Sequence, residues 1–303
     1  MSEKSKIKVI VFGGAGFLGH QLVKELINND YYVKVFDKKM PNEKHKCEYI
    51  IGDITDERIV NDSINGCSFV YNFAGWSNLE SSVDFPLEVV RLNVLGNTII
   101  LDACLKKNVK RYLFASSIYV FSQAGSFYRA SKQCCELIVK EYQRCYKLPF
   151  TVLRFGSVYG PRASKENAIY ALLKMAIENK KIDYWGNGNE IREYIHVADA
   201  ARGSVRAIDK DYENQYVLLS GISGMKMKDL LTMINEIFNN TLKINYNLES
   251  TSEFHYKITP YSFSPALGKK LMLSDITDLG QGLLQCAQEL SENILDQDNK
   301  ETH

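Results

Sequence analysis

Tyr128-Arg129-Ala130-Ser131-Lys132 sets a phenol and an ammonium four residues apart. On a helix the two side chains share one face. An ammonium beside a phenol favours the phenolate and lowers the tyrosine pKa toward neutrality. A tyrosine tuned this way takes or gives the proton of a carbinol while a hydride moves to or from a nicotinamide. The same spacing also occurs in surface pairs, so its place in the chain matters. The run 111–115 reads as a strand that ends in Ser116-Ser117. In an open α/β sheet, ligands sit beyond the carboxyl ends of the strands. Ser117 would then reach the same reacting oxygen as Tyr128.

The cofactor for such chemistry has its own signature near the start of the chain. Val9-Ile10-Val11-Phe12 feeds Gly13-Gly14-Ala15-Gly16-Phe17-Leu18-Gly19, and a helical pattern follows. Gly13 suits the tight turn, Gly16 the close approach of a pyrophosphate, and Gly19 the packing of helix on strand. The N–H groups that open the helix face the phosphates. The next strand pattern, 32–36, ends at Asp37, an acid placed to take the ribose 2′-hydroxyl of NAD. Lys38 and Lys39 would suit the extra phosphate of NADP, but Asp37 repels it. NAD is therefore the expected cofactor.

These groups need a scaffold, and the pattern supplies one. Apolar runs at 9–12, 33–36, 48–51, 69–73, 112–116 and 150–155 alternate with helix-like stretches such as 86–107 and 130–146. Alternation of this kind predicts an α/β fold: a Rossmann-type, doubly wound parallel sheet with helices on both faces. The pattern loosens after residue 160. We expect a dinucleotide-binding domain over 1–160, with later segments crossing back to it, and a smaller α/β substrate lobe over 161–303. The chain has 303 residues and a net charge of +1, which points to no nucleic-acid partner and no anionic membrane. Seven scattered cysteines without a CxxC pair indicate neither a disulfide framework nor a metal site. No signal peptide and no bilayer-length apolar run stand out, so a cytoplasmic location is expected.

With these residues in view, the chain resembles the extended short-chain dehydrogenase/reductase family, and within it the NAD-dependent nucleotide-sugar epimerases and dehydratases. The resemblance rests on the glycine cluster, Gly52-Asp53-Ile54, Asn72-Phe73-Ala74-Gly75, Asn93, Ser116-Ser117-Ile118-Tyr119-Val120, and Tyr128 with Lys132. Two later blocks also match, 153–162 around Ser157 and 192–199 from Arg192. The resemblance implies that Tyr128 is the acid/base and that Lys132 tunes it and holds the nicotinamide ribose. Ser117 would bond the sugar oxygen. Asp53 and Ile54 would meet the adenine, Ala74 and Gly75 would line the ribose and pyrophosphate, and Asn93 would complete the cofactor set. Ser77, Ser157 and Arg192 would contact the nucleotide-sugar, with the Arg192 guanidinium on its diphosphate. It further implies a homodimer built on two helices, near 87–107 and 130–146, with Cys134, Leu137 and Ile138 as seam candidates.

Departures from the family pattern narrow the reaction. Sugar-nucleotide 4,6-dehydratases carry acids just after the catalytic hydroxyl residue, and here those positions hold Ile118 and Tyr119. Members that epimerise at C3 or C5 place a cysteine near the serine, and none stands there. The Ser117–Tyr128 loop is short. Ser157 replaces the usual asparagine, and no arginine follows Arg206, leaving Tyr256 or Lys257 as substitutes. Redox chemistry at the sugar C4 remains: a 4-dehydrogenase that stops at the 4-keto sugar, or a 4-epimerase. The missing acids and altered loop resemble bacterial enzymes that oxidise C4 of a nucleotide-linked heptose for capsule synthesis. A reductase of a non-nucleotide ketone and a non-catalytic nucleotide sensor are the readings from other classes.

Overall fold

The computed structural model describes residues 7–247, 269–271 and 273–301. Six apolar runs form the strands β1 (Lys8–Phe12), β2 (Tyr32–Asp37), β3 (Glu48–Ile51), β4 (Phe69–Asn72), β5 (Arg111–Ser117) and β6 (Phe150–Phe155). The helices between them are α1 (Phe17–Asn28), α2 (Glu57–Ser63), α3 (Pro86–Val89), α4 (Gly96–Lys106) and α5 (Ser126–Tyr146). The sheet runs β3-β2-β1-β4-β5-β6 and continues through the strands Gln215–Leu219 and Lys269–Lys270. Every neighbouring pair is parallel. This is the Rossmann-type sheet that the alternation predicts.

β5 and β6 are buried along almost their whole length, because helices cover both faces. That is why they read as continuous apolar runs rather than as alternating ones. One face of the sheet packs Phe12, Phe36, Tyr112 and Phe114 against Val60 of α2, Ile100 and Cys104 of α4, and Val139 of α5. Strand order reverses between β1 and β4, where Phe12 lies opposite Asn72. The loops leaving these two strands thus share the switch point, where open α/β sheets bind ligands.

The sequence predicts one helix over 86–107. The structure breaks it with a π turn at Val90–Leu95, between α3 and α4. Such turns are rare and cluster at functional positions. Here the Cys135 thiol donates to the Asn93 carbonyl at 3.0 Å.

Among the described residues the chain divides into two compact units. The first takes in 7–155, 200–219 and 269–271, and the second 156–199, 220–247 and 273–301. The first unit ends at Phe155, slightly before the expected boundary, and regains the chain at Ala200–Leu219. In the second unit, Ser157–Tyr159 pairs in parallel with Tyr194–His196, and Lys181–Trp185 with Lys243–Asn247. Its helices Ala168–Asn179, Met227–Ile237 and Leu279–Glu301 enclose a core of Leu172, Leu173, Leu230, Leu231, Ile234 and Leu283. Asn167 caps the first of them by accepting the Ile169 and Tyr170 amides.

Candidate active site

β1 ends at Phe12 and the chain turns at Gly13, whose φ is +77°. A Cβ on Gly13 would stand 2.6 Å from the Ala74 nitrogen, and one on Gly19 would run into the Gly13 carbonyl. Only glycine lets this loop lie against 73–75 and lets α1 start where it does. Gly16 is the N-cap of α1 and carries no capping side chain. The opening N–H groups, at Phe17, Leu18 and Gly19, are thus directed out of the helix end, as an anion requires. The Asp37 carboxylate accepts the Ala15 amide at 3.0 Å, which ties the glycine loop to the end of β2. Backbone donors for a diphosphate beside an acid for a ribose hydroxyl fit a dinucleotide.

Asp53 lies at the same end of the sheet. It accepts the Thr55 amide at 2.9 Å and the Thr55 hydroxyl at 2.8 Å, and pairs with Lys38 and Arg91 at 3.4 Å each. Burial pushes its carboxyl up, but the Thr55 bonds and the two cations outweigh burial and hold it at about 2. Lys38, the cation that would have favoured NADP, is engaged by Asp53. Arg91 also grips Glu88 and the Thr55 hydroxyl. Sequence reasoning missed Arg91, because its partners Asp53 and Thr55 lie more than 30 residues away. Ile54 is buried and packs where a side chain on Gly96 would stand.

Asn93 sits inside the π turn and is buried. Its Oδ1 accepts the Trp76 amide at 2.6 Å, and its Nδ2 donates to the Trp76 carbonyl and, at 2.8 Å, to the Ser131 hydroxyl. Ser131 stands between Tyr128 and Lys132. Asn93 therefore brackets the 74–76 loop to α5, with its side-chain amide fully used by the protein. Gly75 has a φ of +138° and leaves the space that Asn93 fills. Ser77 is exposed in the same loop.

Ser117 ends β5, and Tyr128 and Lys132 occupy the first two turns of α5, all three buried. The Ser117 hydroxyl lies close enough to the Tyr128 phenol to pull its pKa down. The Lys132 ammonium donates to the Ala115 carbonyl at 2.8 Å and lies over the rings of Phe114 and Tyr128, at 4.8 and 5.8 Å from their centroids. One expectation needs correction. Burial pushes the Tyr128 phenol up to about 12, against a smaller downward pull from Ser117. The expected pull of Lys132 toward neutrality does not offset this burial; its ammonium binds the Ala115 carbonyl. Burial also depresses Lys132 itself, opposed by Cys135 and Glu136.

In the second unit, the Ser157 amide donates to the Glu193 carbonyl at 3.1 Å. Arg192 lies on Ile191–Arg192, an antiparallel partner of Met225–Lys226, and is half-buried. Tyr256 and Lys257 lie outside the described residues. Among the described residues, no cluster of three or more His, Cys, Asp or Glu side chains forms a metal site, and no helix is long and apolar enough to cross a membrane.

A parallel sheet with a glycine-lined switch point and a Ser–Tyr–Lys group past it defines an NAD-dependent oxidoreductase of the extended short-chain type. More closely, the chain belongs to the NAD-dependent epimerase/dehydratase family, whose sequence model matches residues 9–218. It is 28% identical over 253 residues to a putative UDP-glucose 4-epimerase of Methanocaldococcus jannaschii, covering 76% of this chain and 80% of that one. It is 29% identical over 217 residues to the low-salt glycan biosynthesis protein Agl12 of Haloferax volcanii, covering 63% and 69%. The fold matches that of MoeE5 in complex with UDP-glucuronic acid and NAD, with a TM-score of 0.82 at 24% identity, over 94% of this chain and 99% of that one.

Proposed function

We propose that this protein oxidises C4 of a nucleotide-activated sugar and releases the 4-keto sugar, for use in surface-polysaccharide synthesis. The observation that carries the reading is the buried group of Ser117 at the end of β5 with Tyr128 and Lys132 on α5, where Ser117 is followed by Ile118 and Tyr119 and not by a carboxylic acid. Bound NAD supplies the hydride acceptor. Tyr128 takes the proton of the C4 hydroxyl, Ser117 holds that oxygen, and Lys132 supplies positive charge beside the phenol as it ionises. Gly13, Gly16, Phe17, Leu18 and Gly19 hold the diphosphate of the cofactor. Asp37, Asp53 and Ile54 hold its adenosine, and Ala74, Gly75 and the Asn93 bracket shape its middle. Ser77, Ser157 and Arg192 meet the substrate. Only ten residues, 118–127, separate Ser117 from Tyr128. A loop that short suits a large sugar, and a GDP-linked heptose is the substrate to test first.

The second reading is a nucleotide-sugar 4-epimerase. The relative in M. jannaschii supports it, and the same three side chains serve it. Incubation with NAD and a panel of GDP- and UDP-sugars, followed by mass spectrometry, separates the two. A product lighter by two hydrogens, with NADH formed, supports the dehydrogenase. A product of equal mass and new retention time identifies the epimerase. No change with any sugar nucleotide overturns both and leaves the reductase of a non-nucleotide ketone and the non-catalytic nucleotide sensor.

Arg192→Ala tests the sugar-nucleotide readings from the substrate's side. Loss of a charge-assisted bond to a diphosphate is expected to raise the KM for a sugar nucleotide about 10- to 100-fold, with NAD affinity unchanged. An unchanged KM removes Arg192 from the substrate.

We also propose a homodimer. Leu87 of α3 is 86% exposed and Leu137 of α5 is 67% exposed, with Val90 and Leu95 exposed on the intervening π turn. Ile138, a seam candidate from the sequence, packs on the core instead. Leu137→Glu is expected to convert a dimer to a monomer in light scattering, and a monomeric wild type overturns the proposal. All seven cysteines are free thiols, which supports a cytoplasmic location. Recovery from the medium or in a membrane fraction would contradict it.

A further inference from the structure

The catalytic helix carries two side-chain stripes. Tyr128, Lys132 and Cys135 form one, and Arg129, Gln133 and Glu136 form the next, one residue further round. The second stripe fastens the chain that follows Ser117. Arg129 Nη1 donates to the carbonyls of Ser122 at 2.9 Å and Gln123 at 2.8 Å. Gln133 Nε2 donates to the Val120 carbonyl at 2.7 Å. Glu136 holds Arg154, whose guanidinium carbon lies 4.4 Å from the Phe121 ring centroid. The segment is also tied within itself, by Ala124 N–H to the Ser122 hydroxyl and Ser122 N–H to the Tyr119 carbonyl. It begins on the reacting serine, whose Oγ accepts the Tyr119 amide at 3.2 Å.

The fastened segment sets one ring beside the reacting phenol. Tyr119 stands edge-on to Tyr128, with centroids 6.4 Å apart and planes at 78°. It rests on Gly125, where a Cβ would come within 2.8 Å of both the Tyr119 ring and Arg129 Cβ. The φ of +113° at Gly125 suits glycine alone. Helix, loop and ring are therefore one packed unit.

We propose that Arg129, with Gln133 beside it, is a positioning residue for the reaction. It locks segment 118–125 to the catalytic helix, so that Ser117, Tyr119 and Tyr128 face the sugar as one preassembled wall. The inference rests on the C4-oxidation reading for its effect on turnover, but not for the lock itself.

The test compares full-length, NAD-loaded wild type with Arg129→Ala, Arg129→Lys and Gln133→Ala. Amide exchange over 118–125 is read by mass spectrometry, and kcat and KM are read on the sugar nucleotide that wild type turns over in the panel. In Arg129→Ala the 118–125 amides are expected to exchange about tenfold faster or more, with the rest of α5 unchanged. Its kcat is expected to fall about 10- to 100-fold at unchanged NAD affinity. Arg129→Lys is expected to recover part of both, since an ammonium replaces one of two bonds, and Gln133→Ala to fall between. Unchanged exchange overturns the lock. Faster exchange with kcat within about twofold of wild type overturns the positioning role. If Arg129→Ala does not fold, the other two variants carry the same comparison. If wild type turns over no member of the panel, the functional reading fails, and exchange alone decides the lock.

Discussion

Tyr128→Phe is expected to abolish turnover while leaving the cofactor bound. The phenol is buried and pushed up to about 12. A group in that state stays protonated at neutral pH and gives up its proton with difficulty. For C4 oxidation it must nonetheless accept the carbinol proton. The positive charge that makes this possible would come from Lys132 in the next turn and from the oxidised nicotinamide of NAD when it is bound. Removing the hydroxyl removes the proton acceptor, and Ser117 cannot replace it at neutral pH. The loss in kcat is expected at about 10²- to 10⁴-fold, the range for a positioned general base.

The sign of the pH dependence follows from the same chemistry. Alcohol oxidation needs the phenolate, so the wild-type rate rises with pH until Tyr128 ionises in the loaded enzyme. Ketone reduction needs the phenol and falls over the same range. Both limbs are expected to vanish in Tyr128→Phe, while NAD binding, read by release on denaturation, stays at wild-type occupancy. A variant with full activity would sink the acid/base assignment. A variant that loses NAD as well would show that the ring, not the hydroxyl, carries the effect.

Much of the frame is legible in the sequence alone. Strand and helix alternation predicts the parallel sheet, because buried parallel strands must be apolar along their length and each needs a crossover. Glycines 13 and 19 are readable because backbone geometry leaves one residue type for those places. Side-chain partnerships across the sheet are not legible. Arg91 meets Asp53, Asn93 meets Trp76 and Ser131, and Arg154 meets Glu136, each pair set by strand register and helix rotation. The Tyr128–Lys132 spacing does place both side chains on one helix face, yet it suggests the wrong direction for the phenol. Spacing gives the face, but the direction of the shift is set by the burial of the phenol, which spacing does not reveal.

Arg154→Met is expected to cost the fold about 3–5 kcal/mol of unfolding free energy, a large fraction of what holds a protein of this size together. Glu136 and Arg154 are a bidentate pair, Nε to Oε1 at 3.0 Å and Nη2 to Oε2 at 2.6 Å, with side chains 9% and 5% exposed. The Ser116 hydroxyl gives Glu136 one further bond at 2.6 Å. Phe121 and Tyr216 enclose the guanidinium, each centroid 4.4 Å from its central carbon. Methionine keeps the apolar contact with both rings but leaves the carboxylate with Ser116 alone, and a buried charge without a counter-charge is strongly unfavourable. Glu136→Leu strands the guanidinium in the same way. The double variant removes both charges at once and is expected to recover most of the loss, because desolvation offsets much of what a buried pair gains. Arg154 Nη1 meets no acceptor among the described residues, so desolvation is only partly compensated even in the wild type. Urea unfolding of the four proteins gives the coupling directly. A double variant as unstable as the worse single one would show that the pair supplies net stability and not just charge balance. The same variants reach the chemistry, since Ser116 precedes Ser117 and Phe121 belongs to the segment locked to α5. Arg154→Met is therefore expected to lower kcat in the protein that remains folded, whereas a purely structural pair would change only the amount of folded protein.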